Sequence, residues 1–91
     1  MSGKVKTEDI IDLLTVLVDS KDIVLYNDDH NTFQHVIDVL EKYCDHTSLQ
    51  AEQCAWIVHY NGKCSVKRGE HDILKPICVA LLDSGLSAKI E

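Results

Sequence analysis

A short run of β-prone apolar residues, at positions 23–26, stops abruptly at Asn27, Asp28 and Asp29. Isoleucine, valine and tyrosine favour strands, whereas asparagine and aspartate favour turns because their side chains bond to nearby backbone groups. The boundary therefore predicts a strand followed by a loop. The segments after this loop predict the remaining helices and strands of the fold.

Two segments with helical spacing follow the loop. The first has apolar residues at positions 33, 36, 37, 40 and 44, with Asn31 or Thr32 as its N-cap. The second begins near Thr47, and Gln50 three residues later completes a capping-box pattern. It closes before the turn expected at residues 61–62, an Asn-Gly pair. Both segments are predicted to be helices.

The last third of the chain predicts two short strands around one more helix. Residues 63–67 alternate polar and apolar positions as a half-buried strand does, and residues 86–90 form a short apolar run. Between them lies a helix that ends at Gly85, a residue suited to helix C-termini. Pro76 is tolerated only in the first turn of a helix, so this helix is expected to begin near Asp72 or later. The order β-α-α-β-α-β predicts an α+β sandwich, in which three helices pack on a three-stranded antiparallel sheet.

The N-terminal segment carries a further periodic pattern. Residues 7–19 have apolar side chains at helical spacing and predict an amphipathic helix, although residues 13–18 would also suit a strand. The chain has 91 residues, which is enough for one small domain and no second one. The apolar positions of the N-terminal helix are Ile10, Leu13, Leu14 and Leu17.

The charge of the chain argues against binding to nucleic acid. The formal net charge is −6, and the nine lysines and arginines are scattered, whereas a phosphate backbone requires a basic stripe. No run of 18 or more apolar residues occurs, and the N-terminus lacks the basic, apolar and small-residue regions of a signal peptide. We expect a cytoplasmic protein that binds neither nucleic acid nor membrane.

Three candidate sites follow from the residues alone. The acidic loop at residues 27–29 is either a solvated turn with a capping aspartate or a place where a carboxylate is held for binding. His59 is either a structural histidine or a binding group. Cys54 and His59 lie five residues apart and have no Gly-rich oxyanion loop, which disfavours nucleophilic catalysis. The four cysteines form no CxxC pair, so we expect small buried apolar residues rather than zinc ligands.

Three motifs stand in order along the chain: Ile-Val-Leu-Tyr-Asn-Asp-Asp at 23–29, Val-Ile-Asp-Val-Leu at 36–40 and Val-His-Tyr-Asn-Gly-Lys at 58–63. Together they resemble the ClpS adaptor family. Its pattern is an apolar strand ending in Asn-Asp-Asp, a helix with a Val-Ile-x-Val-Leu core, and then Val-His-Tyr-x-Gly-Lys. The resemblance implies an adaptor domain at residues 22–91, preceded by an N-terminal extension at residues 1–21.

The resemblance also implies a binding site. In the family, the free α-amino group of a substrate's first residue is held at positions that correspond here to Asn27, Asp29 and His59, with Asp28 as a lesser candidate. A pocket beside them accepts the side chain of an N-terminal leucine, phenylalanine, tyrosine or tryptophan. Its lining maps to Asn31, Phe33, Val36, Ala55, Val58 and Leu86.

The chain departs from the family pattern at this pocket. After Asn-Asp-Asp the family usually has an aromatic residue, threonine, proline and methionine, whereas this chain has His30, Asn31, Thr32 and Phe33. A rigid ring thus replaces a pliable methionine. Ala55 stands where a larger methionine often lies, which offsets the bulk of Phe33. We expect a retained preference for large apolar N-terminal residues, with an altered ranking among them.

The implied function is that of an adaptor without catalysis or a cofactor of its own. Such an adaptor binds substrate proteins by the N-terminal residue, or N-degron, and delivers them to a Clp AAA+ unfoldase of the ClpA or ClpC kind and its protease. Docking on the unfoldase N-domain would use Glu70 and Lys75. The alternative is a non-catalytic interaction domain of similar fold, such as the C-terminal domain of the ribosomal stalk protein, which binds translation factors. That alternative does not require the Asn-Asp-Asp and Val-His-Tyr-x-Gly-Lys motifs together.

Overall fold

The computed structural model describes residues 6–91, apart from the side chains of residues 16–18. The predicted place of Leu17 on an apolar helix face lies outside these described residues. After an N-terminal helix, the chain follows the predicted order of strand, helix, helix, strand, helix and strand. The elements are α1 (Thr7–Asp19), β1 (Lys21–Tyr26), α2 (Phe33–Cys44), α3 (Ser48–Asn61), β2 (Lys63–Gly69), α4 (His71–Asp83) and β3 (Ser87–Ile90).

Strand β1 is the central strand of the sheet. The strand order is β2-β1-β3, and β1 is antiparallel to both neighbours. Ile23 and Leu25 are almost completely buried, because alternate residues of β1 face the helices that pack on the sheet. At the start of β1, the backbones of Asp22 and Glu91 exchange two hydrogen bonds of 2.8 and 2.7 Å. The predicted α+β sandwich is confirmed.

A β-bulge in β2 explains the one buried polar side chain among the described residues. The pairing of β1 with β2 skips Val66, so the backbone of this residue is left outside the ladder. The carbonyl oxygen of Val66 instead accepts a hydrogen bond from Nε2 of His46 at 2.6 Å. His46 is only 8% exposed, and its other ring nitrogen has no hydrogen-bond partner in the described part of the chain. The histidine thus satisfies a carbonyl group that the bulge would otherwise leave buried and unpaired.

The helix boundaries follow the local chemistry of the caps. Thr32 caps α2 by accepting from the backbone N–H of His35, and Thr47 caps α3 by accepting from that of Gln50, both at 3.1 Å. Helix α3 ends at Gly62, whose φ of +88° lies in the left-handed region that suits glycine. The predicted capping residues of α2 and α3 and the turn after α3 are confirmed.

The predicted place of Pro76 in the first turn of the third core helix is wrong. Helix α4 begins at His71, and Pro76 is its sixth residue rather than part of the first turn. Proline lacks an N–H group, so the carbonyl group of Asp72 receives no helical hydrogen bond. Both residues are exposed, and water can therefore hydrate that carbonyl group. At the other end of α4, Gly85 has a φ of +89° and stops the helix as predicted.

Residues 7–19 form a helix, so the helical interpretation is confirmed and the strand alternative is wrong. The large apolar side chains at the start of α1 are between 44% and 59% exposed: Ile10, Ile11, Leu13 and Leu14. These side chains contribute little to the core of the domain. No helix within residues 6–91 is long and apolar enough to cross a bilayer.

Candidate functional site

A cavity of about 330 Å³ opens where the end of β1, the start of α2, the second half of α3 and the start of β3 meet. Its lining includes all ten residues expected at the amino-binding site and the pocket. It also includes Leu25, Tyr26 and Thr32, which were not expected to belong to the site. The ten are Asn27, Asp28, Asp29, Asn31, Phe33, Val36, Ala55, Val58, His59 and Leu86.

A glycine joins the acidic loop to the end of α3. The backbone N–H of Gly62 donates to the carbonyl oxygen of Val58, and its own carbonyl oxygen accepts from the N–H of Asn27, both at 2.9 Å. The left-handed conformation of Gly62 turns the chain sharply enough for both bonds to form. Asn27 and His59 are thereby brought to the same rim of the cavity, although 31 residues separate them in the chain.

Asp28 organises the acidic loop. Its Oδ1 accepts from the backbone N–H groups of His30 and Asn31 at 2.9 and 3.0 Å, and both of its oxygens accept from Nδ2 of Asn31. Nδ2 of Asn31 also donates to the carbonyl oxygen of Gly85 at 2.8 Å, which ties the acidic loop to the loop before β3. Burial raises the pKa of Asp28, but the bonds from Asn31 and His30 together outweigh it and lower the pKa.

Three polar side chains at the rim retain unused hydrogen-bond acceptors. Asn27, Asp29 and His59 are exposed and, among the described residues, none of them has a side-chain hydrogen-bond partner. They offer an amide oxygen, a carboxylate and an imidazole nitrogen. The cavity lining contains two aspartates and neither lysine nor arginine. The rim therefore suits a cation with several N–H donors.

The interior of the cavity is apolar. Ala55, Val58 and Leu86 are between 4% and 6% exposed, and Val36 is half-buried beside them. Phe33 is the first residue of α2 and stands partly exposed at the mouth. A group that places a charge at the rim can therefore bury an apolar side chain below it.

Four rings form an aromatic cluster at the mouth of the cavity, consisting of Phe33, Trp56, His59 and Tyr60. The ring centres of Phe33 and Trp56 are 4.6 Å apart, and those of Phe33 and His59 are 5.2 Å apart. Trp56 and Tyr60 stack at 5.5 Å with an interplanar angle of 10°. The sequence motifs did not predict this cluster. The sequence does contain a signal for this cluster, because Trp56 and Tyr60 are four residues apart and therefore lie on one face of α3.

Glu70 and Lys75 lie outside the cavity. Glu70 is the N-cap residue of α4 without a capping hydrogen bond from its side chain, and Lys75 lies in the second turn of that helix. Both are exposed, and neither belongs to the cavity lining. Glu70 and Lys75 therefore lie on the surface of the domain apart from the cavity.

The cysteines are free thiols, and three of the four are buried: Cys44, Cys54 and Cys78. Burial raises the pKa of Cys44 to about 11, while burial and the neighbouring Cys64 raise that of Cys54 to about 12. At neutral pH these thiols are protonated, and a protonated thiol is a poor nucleophile. Cys64 is half-buried, so the expectation of burial is wrong for this residue.

Comparison with known proteins agrees with the fold and the motifs. The family model described as "ATP-dependent Clp protease adaptor protein ClpS" matches residues 19–89. The ATP-dependent Clp protease adapter protein ClpS of Salmonella gallinarum (strain 287/91) is 42% identical over 41 residues. This match covers 45% of the present chain and only 39% of the Salmonella protein.

A solved structure has the same fold. The structure of Agrobacterium tumefaciens ClpS2 bound to L-phenylalaninamide superposes with a TM-score of 0.74 at 22% identity. The match covers 80% of the present chain and 95% of the Agrobacterium chain.

Proposed function

Because the chain belongs to the ClpS family of ATP-dependent Clp protease adaptors, we propose that it captures proteins by a free N-terminal residue with a large apolar side chain. It then delivers them to a Clp AAA+ unfoldase and protease. One observation carries the proposal: three side chains with unused acceptors, Asn27, Asp29 and His59, surround the mouth of an apolar cavity. An N-terminal residue has the matching chemistry, since it combines a cation with an adjacent side chain.

The α-amino group is the charged part of this ligand. As an ammonium it carries three N–H donors, which Asn27, Asp29 and His59 can accept one each. Charge-assisted hydrogen bonds contribute roughly 1.5–3 kcal/mol each. Acetylation removes the positive charge and two of the three donors, so a blocked N-terminus should not bind.

The first side chain is the apolar part of the ligand. Burying a large apolar side chain against Val36, Ala55, Val58 and Leu86 contributes about 1.5–3 kcal/mol. After the costs of ordering the peptide, a dissociation constant on the order of micromolar follows. The phenylalaninamide in the Agrobacterium ClpS2 structure has a free α-amino group and an aromatic side chain, the same two features.

Delivery requires a second contact, on the N-domain of the unfoldase. We assign this contact to Glu70 and Lys75, which are exposed and lie outside the cavity, so substrate and unfoldase can be bound at once. In this assignment residues 22–91 are the adaptor domain and residues 1–21 its extension. Charge reversal at both docking residues, Glu70→Lys with Lys75→Glu, should abolish pull-down of a ClpA- or ClpC-type N-domain while peptide affinity stays unchanged.

The peptide-binding proposal is tested by fluorescence anisotropy with peptides that differ only in residue one: Leu, Phe, Tyr, Trp, Ile, Ala and acetyl-Leu. Wild type should bind the free large apolar termini at micromolar concentrations and should not bind acetyl-Leu. His59→Ala should bind at least tenfold more weakly, because one charge-assisted bond is lost. The matched control is His71→Ala, since His71 is exposed and outside the cavity. Equal binding of Leu and acetyl-Leu peptides would overturn the proposal.

A further inference from the structure

The aromatic cluster continues the binding surface beyond the cavity. Phe33 and His59 line the cavity, whereas Trp56 and Tyr60 extend from them along the outer face of α3. Trp56 is 45% exposed and Tyr60 is 74% exposed. Two stacked rings therefore face solvent directly beside the place where the α-amino group of a substrate would be held.

The one formally charged side chain of the helix that carries these rings is acidic. Helix α3 contains neither lysine nor arginine, and Glu52 lies one turn before Trp56 on the same face. In the described part of the chain, lysines stand over the rings of Tyr43 and Tyr26 but not over those of Trp56 and Tyr60. The faces of aromatic rings carry partial negative charge, which attracts cations, and arginine most often.

We propose that Trp56 and Tyr60 form a second subsite, which takes an arginine at the second position of the bound substrate. The inference rests on the proposed function, because a held N-terminus is what brings the second residue to this place. Ring centres of Tyr60 and Trp56 lie 5.0 and 6.3 Å from that of His59, within reach of the next side chain along the peptide.

Arginine fits this surface better than the other residues do. In an extended peptide, successive side chains point to opposite sides, so the second one leaves the cavity and turns toward its outer edge. The planar guanidinium stacks on an aromatic face, and its charge is attracted by Glu52, one turn before Trp56 on α3. A neutral aromatic side chain would gain the stacking contact without the charge.

Two peptides of identical composition test this inference: Leu-Arg followed by alanines, and Leu-Ala followed by alanines with the arginine at position six. Both have the same net charge, so a general attraction to the acidic domain affects them almost equally. Wild type should bind the first peptide roughly three- to tenfold more tightly by anisotropy. A third peptide with citrulline at position two, which keeps the planar group but not the charge, should lose most of this gain.

Trp56→Ala and, independently, Tyr60→Ala should reduce the ratio between the two arginine peptides to below about twofold. Leu82→Ala is the control, because Leu82 is similarly exposed but lies on α4, outside the cavity lining, and should keep the wild-type ratio. If wild type binds both arginine peptides equally, the subsite is overturned while the adaptor proposal stands. If it binds neither, the adaptor proposal fails and this inference with it.

Discussion

The side chain of Asn31 joins the two loops at the rim of the cavity, so Asn31→Ala should loosen both. Nδ2 of Asn31 donates to both oxygens of Asp28 and to the carbonyl oxygen of Gly85, at 2.8–3.0 Å. Because Asp28 is only half-buried, its charge-assisted bond should contribute about 1 kcal/mol rather than the full value. The bond to Gly85 should add about 1 kcal/mol. The variant is expected to lower the free energy of unfolding by about 2 kcal/mol at pH 7.

The cost of this substitution should depend on pH. The pKa of Asp28 is lowered from 3.8, because the bonds from Asn31 and His30 outweigh the opposing effect of burial. A lowered pKa contributes stability above pH 4 and loses it as the pH falls through the folded-state value. At pH 2.5 a larger fraction of Asp28 is protonated than at pH 7, so the cost of Asn31→Ala should be smaller there.

Urea unfolding followed by circular dichroism at pH 7 and pH 2.5 measures both values. With a slope of about 1 kcal/mol per molar urea, the midpoint at pH 7 should fall by about 2 M at an unchanged slope. Asn61→Ala is the matched control, because Asn61 is exposed and, among the described residues, has no side-chain hydrogen bond. It should change stability by less than about 0.5 kcal/mol. A cost of Asn31→Ala below that limit, or one that is equal at both pH values, would refute the reasoning.

Four further predictions concern other parts of the molecule. Ala55→Met extends a side chain into the cavity and displaces about two methylene equivalents of ligand contact, so anisotropy should show roughly tenfold weaker binding of N-terminal Trp, with a smaller loss for Leu. His46→Ala leaves the Val66 carbonyl group unpaired and creates a void, and should lower the free energy of unfolding in urea by about 3 kcal/mol. Since burial raises the pKa of the thiols of Cys44 and Cys54, their alkylation by iodoacetamide at pH 7.5 should be at least tenfold slower than in urea, and stability should decline above pH 9. Deletion of residues 1–19 should change the free energy of unfolding by less than about 1 kcal/mol, because the apolar side chains at the start of α1 are exposed; a larger loss would show that α1 packs on the domain.

The parts of the fold that depend on local chemistry could be predicted from the sequence. Thr32 and Thr47 cap helices because a hydroxyl oxygen can accept from a free N–H group three residues later, whatever the rest of the domain does. Gly62 ends α3 because a left-handed backbone disfavours any residue with a Cβ atom. These effects depend on residues that are close together in the chain, so they can be predicted from the sequence.

The wrong expectation for the position of Pro76 in α4 has a tertiary cause. A proline in the second turn of a helix removes one hydrogen bond. An argument from the helix sequence alone takes this loss as enough to exclude proline from that position. In the folded protein Leu74, Cys78 and Leu81 are buried on one face of α4, and their burial outweighs that loss. Nothing within the helix sequence shows how much apolar surface the sheet will cover.

The site was predictable only in part for a similar reason. Periodicity could place Asn27 after a strand and His59 near the end of a helix, but it could not show that they meet. The resemblance to a family supplied that step, and the bond between Asn27 and Gly62 is its physical basis in this chain. The tie from Asn31 to Gly85 and the contacts of Phe33 with Trp56 and His59 join residues that are far apart in the chain, so the motifs did not show them.

The pair of backbone hydrogen bonds between Asp22 and Glu91 has a practical consequence for experiments on this protein. Asp22 and Asn27 stand at opposite ends of the central strand, about 17 Å apart at 3.3 Å per residue. Tags, dyes or surface tethers that are attached before residue 22 or after residue 91 therefore leave the domain at the Asp22 end of β1, away from the cavity. A domain immobilised through Glu91 should present its cavity to solution and bind peptides with the affinity of the free protein.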